Sequence, residues 1–260
     1  MSTTRDLDFE TQLSKNNTPT IIKELPQTLQ EHQQIMNNKT QFDESDNIPS
    51  IPWKPLLLVF FMFSVDVLSF SSLMPYVASL VQDLQLVSPN DTHNIGYYAS
   101  MIGSSYYFAQ FISAFFWGYI SDRYGRRLVL LTGIFGGFLT SLLFGFSKSL
   151  WWALVTRIFF GLVNGNLGAY KVYISEVTHK KHHAQVFSYI SLSVSLGTVL
   201  GPVIGGFLSN TVDQYPRLAF QFPSFIVRLL RYYPFLLPNV FISCIQLGSF
   251  IIAYHYLKES

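Results

Sequence analysis

The chain has 260 residues, of which 49% are hydrophobic and only 12% charged, with a formal net charge of +2 at pH 7. Average soluble domains carry about 25% charged residues, so this deficit indicates an integral membrane protein. The small net charge gives no indication of a nucleic-acid partner. The single cysteine, Cys244, excludes a disulfide or a cysteine-based metal site within the chain.

Residues 1–52 form a polar region rich in Asn, Gln and Thr. This region lacks the apolar periodicity that a hydrophobic core requires, and we predict that it is a disordered cytoplasmic tail. No apolar run lies close to Met1, so the sequence does not predict a signal peptide.

Residues 53–260 are predicted to form a transmembrane domain of six helices. About 20 apolar residues in a helix span the hydrocarbon core, and the predicted spans are 55–80, 96–120, 128–146, 150–173, 186–208 and 238–257. The links 121–127 and 175–184 are basic, whereas the loop 81–95 contains neither Lys nor Arg. Because basic loops stay in the cytoplasm, both links and both termini are predicted to be cytoplasmic.

Two outer loops have further features. Asn90 begins the sequon Asn-Asp-Thr and is a glycosylation candidate, provided that its loop faces the lumen or the outside. The loop 209–237 is long, and its segment 216–237 combines three Arg with many aromatic residues. Two interpretations of that segment remain open: an interfacial segment at the depth of the lipid headgroups, or a partly buried lumenal loop.

The link between the second and third spans reads Gly-Tyr-Ile-Ser-Asp-Arg-Tyr-Gly-Arg-Arg over residues 118–127. It resembles the signature loop of the major facilitator superfamily, Gly-x-x-x-Asp-Arg-x-Gly-Arg-Arg. Any basic loop between two spans is the alternative, and three Arg alone would favour it. The resemblance implies a conformational-gating loop, with which Glu176 at the inner end of the fourth span pairs. Its residues are Gly118, Asp122, Arg123, Gly125, Arg126 and Arg127.

Two more segments resemble motifs of this superfamily. Residues 157–165 resemble its fourth-helix motif, although Phe160 replaces the usual Gln. Residues 197–206 resemble the fifth-helix motif of proton-coupled antiporters, although the upstream Gly of that motif is absent. Close helix packing alone explains most of the glycines at these positions. The residues concerned are Gly161, Gly165, Gly197, Gly201, Pro202, Gly205 and Gly206.

The sequence 52–55, Pro-Trp-Lys-Pro, and the residues that precede the sixth span are similar to the zinc-induced-facilitator-like and tetracycline-antiporter branch of the superfamily. The Cys-Pro-Gly-Cys element of the plant members is missing from this chain. The resemblance therefore does not imply zinc-linked transport.

Asp66 interrupts the first span about eleven residues from Pro55, roughly 16 Å deep and near the midplane of a core about 30 Å thick. An ionised Asp at that depth costs about 2.5–3.5 kcal/mol. Burial disfavours the charged carboxylate, which permits protonation near neutral pH. Arg157 enters the fourth span from the outer side at about the same level. We therefore predict Asp66 and Arg157 as proton-coupling residues; a static pair, or an Arg157 that reaches outward, is the alternative.

The remaining polar residues indicate no enzyme. The spans contain no nucleophile–base pair and no set of metal ligands, and no cofactor is predicted. Three histidines and two lysines between 179 and 183 could form a metal site, but a solvated loop is the stronger interpretation. Neutral polar residues in spans more often bond between helices than bind solute. Four of them are candidates for lining a solute cavity: Gln110, Asn164, Asn166 and Gln246.

The resemblance implies an all-α membrane fold of six transmembrane helices in two inverted three-helix repeats, which is half of a major facilitator fold. It implies transport of a small organic solute, with proton-coupled antiport, by a truncated or half-length transporter in the lipid bilayer. The partners would be solute, protons and either a second copy or a second six-helix half. The alternative is a non-transporting subunit that pairs with or regulates a full-length relative. The plasma and vacuolar membranes both remain open.

Overall fold

The computed structural model describes residues 51–86, 91–215 and 223–257, without the side chain of Thr92. The predicted tail, up to residue 50, and the sequon residue Asn90 lie outside these ranges. Within them the chain forms ten α-helices and one 3-10 turn, Lys180–His182. In chain order the helices are α1 (Trp53–Ser71), α2 (Val77–Asp83), α3 (Thr92–Tyr124), α4 (Arg126–Gly145), α5 (Leu150–Val163), α6 (Asn166–Val177), α7 (His183–Leu208), α8 (Thr211–Gln214), α9 (Ser224–Tyr232) and α10 (Leu236–Tyr256).

Four of the described helices are long and apolar enough to cross a membrane: α1, α4, α7 together with the turn before it, and α10. Helix α3 has 33 residues, but its many Tyr and Ser side chains lower its hydropathy. The predicted fourth span is divided into α5 and α6 by a break at Asn164 and Gly165. The all-helical membrane fold is therefore confirmed, whereas length and composition identify four of the six predicted spans.

The predicted link 121–127 is helical except at one residue. Helix α3 continues to Tyr124, and Gly125 alone separates it from α4. Gly125 has a φ of 94°, a left-handed conformation that side chains disfavour and glycine tolerates. This residue turns the chain sharply between two antiparallel helices.

Three pairs of helices form the main packing contacts: α1 with α7, α3 with α5, and α4 with α10. In the first pair, Gly197, Gly201 and Gly205 lie at i, i+4 spacing on one face of α7, where they are buried. A Cβ at Gly205 would overlap the backbone carbonyl of Ser72. The hydroxyl of Ser71 donates to the carbonyl of Gly197 at 2.8 Å. Glycine is thus required for the close approach of α1 and α7.

The described part of the segment 216–237 contains the amphipathic helix α9. Ser224, Arg228 and Arg231 lie on one face, at i, i+4 and i+7, while Leu230 is buried. Such a helix is suited to an interfacial position, with its polar face toward water.

The close contact of α1 and α7 predicts the effect of two neighbouring substitutions. Gly205→Ala places a methyl group against the carbonyl of Ser72, and overpacking of this kind costs about 1–3 kcal/mol. Gly206→Ala is the matched control, because its Cβ would make ordinary contact with Pro75 at 3.5 Å. Thermal unfolding in lipid nanodiscs should show a lower midpoint for Gly205→Ala alone. Equal midpoints would contradict this account of the helix contact.

Candidate functional site

The site is built around the break between α5 and α6. Asn164 leaves helical geometry with φ −86° and ψ 83°, and α6 starts two residues later at Asn166. The side-chain oxygen of Asn164 accepts a hydrogen bond from the backbone N–H of Asn166 at 3.3 Å. This bond satisfies one of the N–H groups that the new helix leaves free at its start.

The break also frees backbone carbonyls at the end of α5, and side chains of α3 bond to them. The three donors are Ser113 to the carbonyl of Gly161 at 3.0 Å, Trp117 to Leu162 at 2.6 Å and Gln110 to Asn164 at 3.2 Å. Broken helices are tolerated in a membrane only when neighbouring groups satisfy the freed backbone in this way. Helix α3 therefore stabilises the irregular backbone beside the site.

Asp66 lies in the middle of α1 and is only 7% exposed. Its Oδ2 accepts hydrogen bonds from the amide of Asn166 and from the hydroxyl of Tyr170, both at 2.8 Å. These two donors are four residues apart on α6 and so share one face of that helix. The Oδ1 atom of Asp66 has no hydrogen-bond partner in the described ranges. Asp66 thus joins α1 to α6 through Oδ2, while its Oδ1 makes no hydrogen bond within the described ranges.

Arg157 does not pair with Asp66. In the described part of the chain, the ion pairs include those of Arg126 with Asp122 and with Glu176, and none joins Arg157 to Asp66. Arg157 is buried in α5, with its guanidinium carbon 4.0 Å from the centre of the Phe144 ring. The position of Asp66 is set instead by α6, which begins nine residues after Arg157.

A cavity of about 420 Å³ opens beside Asp66. Its wall is largely apolar and aromatic, and it includes Phe63, Phe70 and Met74. Its polar groups include Asp66, Ser71, Tyr106, Gln110, Asn164, Tyr170 and Thr198. An apolar wall with a few convergent polar groups is typical of a site for a small organic molecule.

A second cavity of about 440 Å³ continues from the first toward the link between α3 and α4. Both cavities are lined by Gln110 and Asn164, among others. The second cavity also reaches Gly118, Asp122 and Arg126. The two cavities share part of their wall, and we call them together the groove, which is lined by Asp66 in the first cavity and by residues of the signature loop in the second.

Two of the four candidate lining residues lie outside this groove. Gln110 and Asn164 line it, whereas Asn166 and Gln246 are buried between helices, at 1% and 0% exposure. Asn166 turns toward Asp66, and Gln246 packs in α10 against Gly137 of α4. Their side chains bond or pack between helices and are not directed at a solute.

The signature loop forms a compact charged cluster around Arg126. This guanidinium contacts Asp122 at 2.5 Å and Glu176 at 3.0 Å, so it joins the end of α3 to the end of α6. Arg123 donates to the hydroxyl of Tyr119 at 2.7 Å. Arg127 donates to the carbonyl of Tyr254 in α10 at 2.7 Å. The loop thus joins the ends of α3, α4, α6 and α10 at one end of the groove.

The glycines of the fourth-helix segment are packing contacts. A Cβ at Gly161 would overlap the carbonyl of Tyr106, and one at Gly165 would overlap the ring of Trp117. Pro202 lies inside α7 beside the contact with α1. These residues shape the walls of the groove by allowing close helix approach.

Sequence reasoning missed Tyr170 and Tyr106, although both line the cavity. The signal for Tyr170 was its position four residues after Asn166, on the same face of a helix. Among the described residues, no group of His, Cys, Asp or Glu side chains could hold a metal ion. The histidines near Lys180 therefore form no such group.

Comparison with known proteins supports this description. The sequence model of the Major Facilitator Superfamily matches residues 50–238. The multidrug transporter mfsB of Aspergillus fumigatus is 33% identical over 83% of the chain, and the match covers 35% of that protein. The ZINC INDUCED FACILITATOR-LIKE 1 protein of Arabidopsis thaliana is 33% identical over 74% of the chain and 39% of its own length.

The crystal structure of the human organic anion transporter MFSD10 (TETRAN) superposes with a TM-score of 0.62 at 19% identity, over 81% of this chain and 49% of that one. The chain therefore spans less than half the length of the curated relatives it matches. The predicted similarity to zinc-induced-facilitator-like proteins is confirmed, and these relatives are named as transporters or facilitators, as expected for a protein that is not an enzyme. The chain is an integral membrane protein that belongs to the Major Facilitator Superfamily.

Proposed function

We propose that this chain is a six-helix half of a transporter that moves a small organic solute across a membrane by proton-coupled antiport. The observation that carries the proposal is Asp66, a buried carboxyl group at the wall of a cavity, with one oxygen held by Asn166 and Tyr170 and the other without a hydrogen-bond partner in the described ranges. An ionisable residue inside a membrane span generally marks a pathway for ions or substrate.

The composition of the cavity supports an organic solute. Aromatic and aliphatic side chains form most of its wall, and the neighbouring phenols and amides offer both donors and acceptors. Such a site binds an amphipathic molecule mainly through its apolar surface. The Aspergillus relative is named as a multidrug transporter, which fits this class of solute.

Asp66 can couple solute to proton because both would use the same carboxyl group. Burial disfavours its charged form, while hydrogen bonds from Asn166 and Tyr170 favour that form. A solute that needs the carboxylate, and a proton that neutralises it, then exclude one another. In this proposal Arg157 is a fixed charge on the outer side of Asp66 and not its permanent partner.

The helix contacts support two inverted three-helix repeats. If the first repeat contains α1, α3 and α4, the second contains α5 with α6, then α7, then α10. Exchange of the repeats converts the α1–α7 contact into the α3–α5 contact and leaves the α4–α10 contact unchanged. The three main packing pairs agree with this symmetry, which supports the proposed repeats.

The surface of α3 supports a partner for this six-helix unit. Phe111 and Phe115 are 81% and 88% exposed, and Phe111 lines the groove. Alternating access is largely the rocking of one such unit against another around a shared site. A second unit would complete the groove and contact Asp122, whose side chain is 74% exposed. A non-transporting subunit of a full-length relative would use the same surface.

The proposed orientation places the signature loop in the cytoplasm. Lys180→Cys and Gln214→Cys, each in a Cys244→Ser background, put one probe at each end of the bundle. A thiol reagent that cannot cross membranes should label the two positions from opposite sides, with Lys180→Cys labelled from the cytoplasm. Labelling of both from one side would contradict the orientation.

The coupling role predicts a specific defect for Asp66→Asn in the assembled transporter. Asparagine keeps the shape of the side chain but takes up no proton, so uptake driven by a pH gradient should be abolished while exchange of solute persists. Proteoliposomes with and without the gradient give the measurement.

Asp83→Asn is the matched control for that experiment. Burial, and then the carboxylate of Asp213, raises the pKa of Asp83, but its side chain lies outside the groove. The control should retain gradient-driven uptake. Normal gradient-driven uptake by Asp66→Asn would rule out the coupling role.

The proposal also predicts the behaviour of residues 1–260 expressed alone. A lone unit would expose the polar groove to lipid and would have no partner to rock against, so a monomer should not transport. The chain should be degraded, or be recovered as a dimer or bound to a second six-helix half. Reconstitution at one copy per vesicle followed by flux measurement tests this, and saturable transport by single copies would refute it.

A further inference from the structure

Four buried polar atoms on α6 and α10 lack hydrogen-bond partners within the described ranges. They are Oδ1 of Asn166, both amide atoms of Gln246, and Oγ of Ser249. All three side chains are at most 1% exposed. A buried polar group without a partner destabilises the folded protein, so a cluster of such groups requires an explanation.

The amides of Asn166 and Gln246 lie against two neighbouring glycines of α4. A Cβ at Gly133 would overlap the amide of Asn166. A Cβ at Gly137 would lie 2.5 Å from the amide nitrogen of Gln246. Because residues i and i+4 have Cβ positions about 5–6 Å apart, the two amides are adjacent along the same face of α4.

Ser249 lies at the level of Gly133. Helices α4 and α10 are antiparallel neighbours, and Asn239 lies beside Gly145, as Gln246 lies beside Gly137. Continuing this register by one helical turn brings Ser249 opposite Gly133, where Asn166 also packs. The four atoms are therefore close together at the junction of α4, α6 and α10.

We propose that this junction binds water, and that the water molecules join Ser249, Gln246 and Asn166 in a hydrogen-bonded chain that ends on Asp66. The Oδ1 of Asn166 and the amide atoms of Gln246 make no direct hydrogen bond in the described ranges, and a water molecule can join polar groups that lie too far apart for a direct bond. A buried water molecule needs two to four polar partners, and these side chains supply them.

The proposed hydrogen-bonded chain has a fixed order of donors and acceptors. The nitrogen of Asn166 donates to Oδ2 of Asp66, which leaves its oxygen as an acceptor facing the junction. The nitrogen of Gln246 can donate toward that oxygen through water, and its own oxygen can accept from the side of Ser249. Gln246 and Ser249 thus act as positioning residues that hold the Asn166 amide with its N–H toward the carboxylate. This role in proton exchange rests on the proposed function of Asp66.

Helix α10 supplies a control on the same face. Asn239 is also buried, and it donates to the hydroxyl of Tyr76 at 3.1 Å and to the carbonyl of Phe235 at 2.7 Å. Ser243 donates to the carbonyl of its own helix at Asn239 at 2.7 Å. Substitution of these two side chains therefore measures how much a hydrogen-bonded amide and a hydrogen-bonded hydroxyl at this interface contribute to stability.

The test compares Gln246→Leu with Asn239→Leu in the protein purified in lipid nanodiscs, with the thermal unfolding midpoint as the readout. If water links Gln246 to Asn166, both variants lose bonds and both midpoints fall, by about 2–4 °C for each kcal/mol. If the Gln246 amide is unbonded in a dry interface, Leu removes an unpaired polar group and the midpoint rises. An unchanged or raised midpoint overturns the proposal.

A double variant tests the connection to Asp66. Asp66→Asn combined with Gln246→Leu should lower the midpoint by less than the sum of the single changes, because both remove parts of one network. Strict additivity would show that Gln246 does not act on Asp66. If Gln246→Leu gives no folded protein, Ser249→Ala replaces it, with Ser243→Ala as control and the same outcomes.

Direct observation of water completes the test. A high-resolution structure should show water density between the amides of Asn166 and Gln246, and a direct amide–amide bond there would overturn the water site. None of these measurements depends on transport. Failure of this proposal and failure of the proton-coupling proposal are therefore distinguishable.

Discussion

The structure depends on the contact of one buried carboxyl group in α1 with two donors on α6. A charge within the apolar part of a bundle persists only when it is hydrogen-bonded or paired, since desolvation otherwise drives it to the neutral form. Asn166 and Tyr170 can both reach Oδ2 of Asp66 because they are one helical turn apart on the same face. The break that precedes Asn166 directs that face of α6 toward α1. The break is therefore part of the site.

The break in turn depends on close packing and on donors from α3. Gly161 and Gly165 let α5 and the start of α6 approach α3, where larger residues would meet the backbone of Tyr106 and the ring of Trp117. The approach brings Ser113, Gln110 and Trp117 within hydrogen-bond distance of the freed carbonyls. The glycines that the sequence motif places here therefore act on Asp66 indirectly. They fix the backbone from which its donors project.

Local signals in the sequence predicted the helices and the signature loop well, because both depend on neighbouring residues. The apolar runs gave α3, α4, α7 and α10 to within a few residues, whereas the predicted first span 55–80 is divided into α1 and α2, and the fourth into α5 and α6. Gly125 lies at the turn, where its left-handed φ favours glycine. The partner of Asp66 was not predictable in this way. Counting depth along unbroken spans placed Arg157 level with Asp66, but the break after Val163 brings a different face and a different pair of residues to α1. Likewise, polarity alone did not distinguish Gln110, which lines the groove, from Gln246, which is buried between α4 and α10.

The central claim is that Asp66 exchanges a proton with the cavity while α6 holds it. Infrared difference spectroscopy of the protein in lipid, recorded as the pH is changed, measures this directly through the carbonyl stretch of a protonated carboxyl group. The account predicts a band that appears on acidification, is missing from Asp66→Asn, and changes frequency in Tyr170→Phe, because that variant removes one of the two hydrogen bonds to Oδ2. A difference spectrum that is the same in the native protein and in Asp66→Asn would contradict it.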